Sequence, residues 1–196
     1  MSSNLKERIL QSASELFYRQ GIRATGVDAI VKAAGTTKMS LYHYFPSKSD
    51  LVLAHLQQSA ETMRERIITG IAERATEPKA RLLAIFDVFG EMLRLDGFRG
   101  CPFINAATEA TGDEEAFKQV SADFYQQFRL RLEEWAVAAE ARQPEMLARQ
   151  LVLLISGAII AEQMQRDSGA MRAARDAAEI LIGQACDSSS NPESRP

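Results

Sequence analysis

Little in this sequence can hold a metal or staple a chain. Cysteine occurs only at Cys101 and Cys186, and histidine only at His43 and His55. The cysteines are far apart and lack CxxC spacing, which excludes a disulfide framework or zinc site and suits a reducing compartment. There is no Gly-rich phosphate loop, no metal-ligand spacing and no paired Ser/His/Asp or Cys/His set. No catalytic centre, metal or cofactor is therefore expected. A long apolar run is missing too: the longest mostly apolar stretch, residues 151–161, falls short of the roughly 20 residues that span a bilayer. Residues 1–7 lack the basic segment and apolar core of a secretory signal. The chain reads as cytoplasmic, with no membrane partner. Strand-like alternation is absent over any useful length while a 3.6-residue period recurs throughout, so the expected fold is all-α.

What is present is ordinary in bulk and uneven in detail. Apolar residues make up 46% and charged residues 25%, the balance of a packed globular chain rather than a disordered one. A net charge of −3 argues at first against a nucleic-acid partner. Its distribution reverses that. Residues 1–50 hold seven basic side chains (Lys6, Arg8, Arg19, Arg23, Lys32, Lys38, Lys48) against four acidic ones, a balance of +3 that leaves −6 for the rest. A basic head on an acidic body favours an anionic partner at one end.

Helix signals divide the chain into about nine segments. Ile9, Ala13, Leu16 and Phe17 recur at helical spacing, and Gly21 supplies a left-handed stop. Residues 27–34 read as a short second helix, with Thr25 as N-cap, Asp28 completing a box-like pattern and Gly35 ending it. A third short helix covers about Lys38–Tyr44. After Pro46, Ser47 and Asp50 repeat the cap pattern ahead of a long fourth helix, whose stripe is Leu53, Leu56, Ala60, Met63, Ile67 and Ile71. Five more follow: one opened by Pro78, a short one over residues 102–110, one capped by Asp113, one begun by Pro144, and an alanine-rich one from after Gly169 to about Cys186. Residues 187–196, rich in Ser, Pro and Asn, are expected to form a disordered tail. The expected organisation is a three-helix head in residues 1–46, a larger helical body in 47–186 and the tail.

The head follows the helix-turn-helix plan, in which the last helix enters the major groove and the one before it crosses the backbone. Val27, Ile30 and Leu41 can form a miniature core, with Ala33 and Ala34 small enough for close packing. The third helix then offers Lys38, Ser40, Tyr42, His43 and Tyr44, which can reach phosphates or base edges. Lys48 falls in the first turn of the fourth helix, where backbone N–H groups also point at an anion. On pattern alone, a core-packed helical hairpin with a polar outer face fits equally well.

Resemblance separates the two. The run from Thr25 to Leu51, TGVDAIVKAAGTTKMSLYHYFPSKSDL, closely resembles the DNA-binding signature of the TetR family, an I-A-x-x-A-G-V-S run leading into Y-x-[HY]-F-x-[SN]-K-x-x-L. Val31 and Thr36 depart from the usual alanine and valine, and Met39 replaces a frequent glycine, so base preference cannot be borrowed from relatives. The resemblance implies a homodimer whose two heads read a palindromic double-stranded DNA operator. It also implies a C-terminal ligand-binding and dimerisation domain, and repression relieved by a small-molecule effector. At matching positions it implies phosphate contacts from Thr25, Tyr42 and Lys48 and base readers at Thr37, Lys38, Met39 and His43. Phe45 and Leu51 match packing positions.

The body carries weaker signals. The segment from Gly100 to Ala107 resembles the sixth-helix start of one TetR subgroup and names no ligand. Phe86, Phe89, Met92, Phe103, Phe124, Phe128 and Trp135, with Phe98, can converge on a small apolar or aromatic effector, oriented by Asn105 or Glu109. Taken singly, each aromatic fits a packed core better. Cys101, beside a proline at a helix start, reads as a thiol that senses electrophiles or oxidants or, more in keeping with ordinary cysteines, as a small buried residue. Leu151, Ile155, Ala158 and Ile159 on the eighth helix, with Ala173, Ala174, Ala177, Ala178, Leu181 and Ile182 on the ninth, read as the dimer face, a four-helix bundle across a twofold axis.

Three functions compete at this point: a DNA-binding regulator released by an effector, an effector-insensitive architectural DNA binder held by phosphate contacts, and a thiol-based sensor acting through Cys101. The body, much larger than the head, favours regulation. In that reading the effector, held against the sixth and seventh helices, swings the fourth. The swing changes the separation of the recognition helices, which half-sites one turn apart set at about 34–36 Å. Effector and operator then weaken each other by about 1–3 kcal/mol.

Overall fold

The computed structural model describes residues 2–111 and 115–187. Among the described residues there are nine helices and no strand: α1 (Ser2–Gln20), α2 (Val27–Ala33), α3 (Lys38–Tyr44), α4 (Lys48–Ala72), α5 (Pro78–Arg94), α6 (Pro102–Glu109), α7 (Glu115–Ala138), α8 (Pro144–Met164) and α9 (Ala170–Cys186). The all-α expectation holds, with its helix count. The expected cap at Asp113 and the expected tail past Asp187 lie outside the described residues.

The helices form two compact units. The first contains α1, α2, α3 and α6, with α4 up to Met63 and α7 up to Phe124; the second contains α5, α8 and α9 with the remainder of α4 and α7. The unit that carries the helix-turn-helix therefore takes in more chain than residues 1–46.

In the first unit, Ile9, Ala13 and Phe17 of α1 pack with Ile30, Ala34, Leu41, Phe45, Leu51, Val52 and Leu56, and the same core includes Phe103, Ala106 and Phe117. Ile9, Ile30, Leu41, Leu51 and Leu56 are fully buried, and truncating such a side chain to alanine costs about 2–5 kcal/mol. On α4 the head is thus held by Leu51, Val52 and Leu56 rather than by Leu53, which is only partly buried.

The turns are built as the sequence suggests. Gly21 takes φ 95° and its N–H donates to Phe17 O at 3.0 Å. At the end of α2, Gly35 (φ 58°) lets its own N–H reach Lys32 O at 3.3 Å and that of Thr36 reach Val31 O at 3.0 Å, a Schellman closure. The Ala34 carbonyl accepts Arg8 Nε–H at 2.9 Å, so an orphaned helix-end acceptor is satisfied from α1. Ser47 Oγ accepts the Asp50 N–H at 3.1 Å and donates to Asp50 Oδ2 at 2.7 Å, as the cap pattern predicts.

Two local expectations are corrected. Gly26, not Thr25, is the N-cap of α2, without a side-chain cap. Ala34 is buried but Ala33 is exposed, because the helix turns that position toward solvent.

In the second unit α9 packs on both α8 and α5, and α5 also meets α8. Leu82, Ile85, Phe86 and Phe89 of α5, Leu151, Ile155 and Ile159 of α8, and Ala174, Ala178 and Ile182 of α9 are buried. Glu162 closes the α8–α9 loop, accepting the N–H groups of Ser168 at 3.2 Å and Ala170 at 3.1 Å. Helix α8 is 21 residues long with a mean hydropathy of 1.4, long and apolar enough by length and composition to cross a membrane. This revises the shorter run 151–161. The helix packs against α9 and α5 along one side, with 39% of that apolar stretch buried. The stripe Leu151, Ile155, Ala158 and Ile159, expected to meet a second copy, is instead buried inside the chain. The apolar side chains that α8 leaves outside are Met146, Leu153, Ile160 and Met164.

Candidate nucleic-acid interface

Leu41 is the fixed point of α3. With Leu41 fully buried against the head core, helical spacing turns Lys38, Met39, Tyr42 and His43 outward together. All four are exposed, Met39 at 82%. A side chain so exposed adds nothing to the head core. Tyr44 lies on the other side, partly buried against the core and edge-on to His43, with ring centroids 5.0 Å apart. Of the two phenols, Tyr42 faces solvent and Tyr44 packs.

Thr37 is the N-cap of α3: its hydroxyl accepts the Ser40 N–H at 3.2 Å and donates to Ser40 Oγ at 3.2 Å. Lys38 follows, at the positive end of a helix whose first turn holds no acid. Asp28 of α2 supplies the counter-charge, with its Oδ1 2.7 Å from Lys38 Nζ. The hydrogen bond to Asp28, then its charge, raises the Lys38 ammonium above the ordinary lysine range. In the sequence Asp28 read only as part of a cap pattern; its reach across the turn to Lys38 has no local signature.

Thr25 is not presented to an anion through its side chain. It is fully buried, and its hydroxyl donates to Gly21 O at 2.7 Å, with Leu16 O at 3.3 Å. Its role is to fasten the entry to α2. Lys48, the first residue of α4, is partly exposed and lines a 190 Å³ pocket with Ile22, Arg23, Ser49, Val52 and Phe117. Glu109, expected to orient an effector, is engaged elsewhere: its carboxylate accepts the Arg23 backbone N–H at 3.0 Å.

The candidate effector residues fall into both units. Phe103 is buried in the head core and stacks on Phe124, centroids 3.9 Å apart, with Asn105 partly buried on the same helix α6. In the second unit Phe86 and Phe89 are buried, Phe89 meets Phe128 edge-on at 5.7 Å, and Met92 and Trp135 are partly exposed. Burial pushes the Cys101 thiol above its ordinary range, against weaker opposition from the backbone N–H groups of Ile104 and Phe103. A shift in that direction favours the thiol over the thiolate, which disfavours a thiolate sensor.

Comparison with known proteins agrees with this geometry. Residues 9–55 match the family described as bacterial regulatory proteins, tetR family, and residues 78–178 match the tetracyclin repressor-like C-terminal domain. An uncharacterised HTH-type transcriptional regulator from Lactococcus lactis is 24% identical over 84% of this chain and 86% of its own length. The HTH-type transcriptional activator FasR of Mycolicibacterium smegmatis is 33% identical over 47% of this chain and 42% of its own. A TetR-family transcriptional regulator from Streptomyces coelicolor superposes with a TM-score of 0.87 at 25% identity, covering 94% of this chain and 97% of that one. The head and body families match in chain order, and the chain belongs to the TetR family of transcriptional regulators, with a DNA-binding helix-turn-helix and no enzymatic role.

Proposed function

We propose that this protein is a cytoplasmic homodimeric repressor that holds a palindromic operator through α3 and leaves it when a small apolar or aromatic effector binds. The observation that carries the reading is the outward set Lys38, Met39, Tyr42 and His43, fixed in register by buried Leu41. Lys38, Met39 and His43 are the base readers, with Thr37 holding the start of the helix; Tyr42 and Lys48 contact phosphates. Residues 1–46 serve as the DNA-binding domain and 47–186 as the effector-binding and dimerisation domain. Support for an apolar effector comes from the make-up of the second unit, where α5 and α7 carry Phe86, Phe89, Met92, Phe128 and Trp135 and Phe89 meets Phe128 edge-on.

Dimerisation uses α8 and α9, through a different face from the buried stripe. Met146, Leu153, Ile160 and Met164 of α8 and Ile180 of α9 are exposed, Leu153 at 68% and Met164 at 82%. Gly157 sits within that face with nothing within 4 Å of the place its Cβ would take. Glycine in a helix interior costs about 1 kcal/mol relative to alanine, and close approach of a partner helix is a reason to keep it.

Selection from a random duplex DNA library at physiological salt tests the reading. Enrichment of one palindrome with half-sites one helical turn apart supports it. Binding without enrichment favours the architectural alternative, and no binding at any salt contradicts the assignment of α3.

A further inference from the structure

We propose that Asp28 sets how strongly this head discriminates its operator from other DNA, by holding Lys38 whenever no operator base is within its reach. The inference rests on the DNA-binding reading of α3 given above.

Folding alone does not explain Lys38. A cation at the first position of a helix meets the positive end of the backbone dipole, and α3 has no acid of its own in that turn. The side chain is 55% exposed, so it contributes no core packing either. Asp28, on the first turn of α2 and 82% exposed, reaches over to 2.7 Å from Lys38 Nζ. Two side chains so exposed form a weak pair that exchanges readily for another partner.

What Lys38 gains by exchanging differs between DNA sequences. A phosphate offers one more exposed ion pair, and it brings the Asp28 carboxylate toward a polyanion. Phosphate-only binding therefore gains little from Lys38. A guanine edge offers O6 and N7 together, a stronger contact than a phosphate in the same groove, and a neighbouring cytosine N4 amino group can donate to the released carboxylate. The pair thus weakens binding to random DNA while leaving the matched site nearly untouched, a repulsive element of the kind that specificity requires. The simpler alternative is that Asp28 only complements the positive end of α2.

Full-length wild type, Asp28→Asn, Lys38→Ala and the double variant should be titrated with the palindrome that wild type enriches and with random duplex of equal length, across a salt series. Freeing one cation adds about one unit to the salt slope and about fivefold in affinity at physiological salt. Asp28→Asn is expected to tighten random DNA by about that much and the palindrome by less, so that the ratio of the two falls. On the Lys38→Ala background the effect should shrink to less than half on a logarithmic scale, and Asp28→Glu should keep the wild-type ratio. Equal tightening on both DNAs, no tightening on either, or an undiminished effect without Lys38 overturns the proposal. Thermal unfolding of each variant identifies any loss of fold, in which case the Asp28→Glu ratio decides. If wild type enriches no palindrome, the operator-reading assignment of α3 itself fails, before any variant is compared, and the proposal falls with it.

Discussion

The Glu109 carboxylate accepts the backbone N–H of Arg23 at 3.0 Å, tying α6 to the turn between α1 and α2 inside the DNA-binding unit. The Arg23 guanidinium completes the tie by donating to Thr111 Oγ1 at 3.1 Å. Gly21 makes room for it, since a Cβ there would fall 3.2 Å from both carboxylate oxygens. The helix-turn-helix is thus braced from a segment more than 80 residues away.

Removing the carboxylate should loosen the brace. Glu109→Ala is expected to cost about 1 kcal/mol, less than a buried charge-assisted hydrogen bond because the pair is partly solvated. That corresponds to a Tm lower by about 2–4 °C. Glu109→Gln keeps an acceptor and should lose less. Unchanged melting of the alanine variant would show that the contact does not stabilise the fold.

Much of the architecture was legible because the helix signals are local. Gly21, Gly35, the Ser47–Asp50 cap and the prolines at positions 78, 102 and 144 each act within a turn of where they stand. The outward set on α3 was legible in part: Lys38, Tyr42 and His43 face solvent as read, whereas Tyr44 packs on the core and Ser40 is only partly exposed. Long-range choices were not. Helix α8 is apolar on most sides, so periodicity could not say which stripe faces the chain, and Leu151, Ile155, Ala158 and Ile159 proved internal. Glu109 and Arg23 are 86 residues apart, and Asp28 meets Lys38 across a turn. Neither pairing leaves a mark in composition or spacing. Thr25 looked like a cap because its type and position suit one, yet burial turned its hydroxyl toward Gly21.

His55 makes stability depend on pH. It is 5% exposed, packs on the Phe17 ring at 5.6 Å and pairs through Nδ1 with Ser14 Oγ at 2.9 Å. Burial lowers its pKa from 6.5 to about 4. The unfolded chain then binds this proton more readily than the folded one, so stability falls as pH drops through the window from about 6.5 to about 4. The loss is about 2 kcal/mol at pH 5 relative to pH 7 and about 3 kcal/mol at the acid end. Urea unfolding at pH 7 and pH 5 checks this, with His55→Phe expected to lose much of the difference. A wild type equally stable at both pH values would contradict a buried neutral imidazole.

Lys48→Ala should weaken binding to every duplex alike and lower the slope of log affinity against log salt by about one unit. Titrations across a salt series distinguish this from base reading. Loss confined to one operator position would reassign the residue.

Charge placed on the outer face of α8 should separate the subunits. Leu153→Glu introduces a carboxylate that a dimer interface would have to desolvate, and sedimentation is expected to show monomer at micromolar concentration with an unchanged far-ultraviolet helix signal. A Leu153→Glu protein that remains dimeric would place the interface elsewhere.

The central claim is that the exposed residues of α3 read bases, and Met39 tests it most directly. Library selection should be run in parallel on wild type and Met39→Ala. The account predicts that both enrich a palindrome of the same half-site spacing, with preference for thymine relaxed in the variant at one symmetric pair of positions. An identical base preference at every position in the two selections would contradict it, leaving Met39, the most exposed residue of α3, without a role in choosing the sequence.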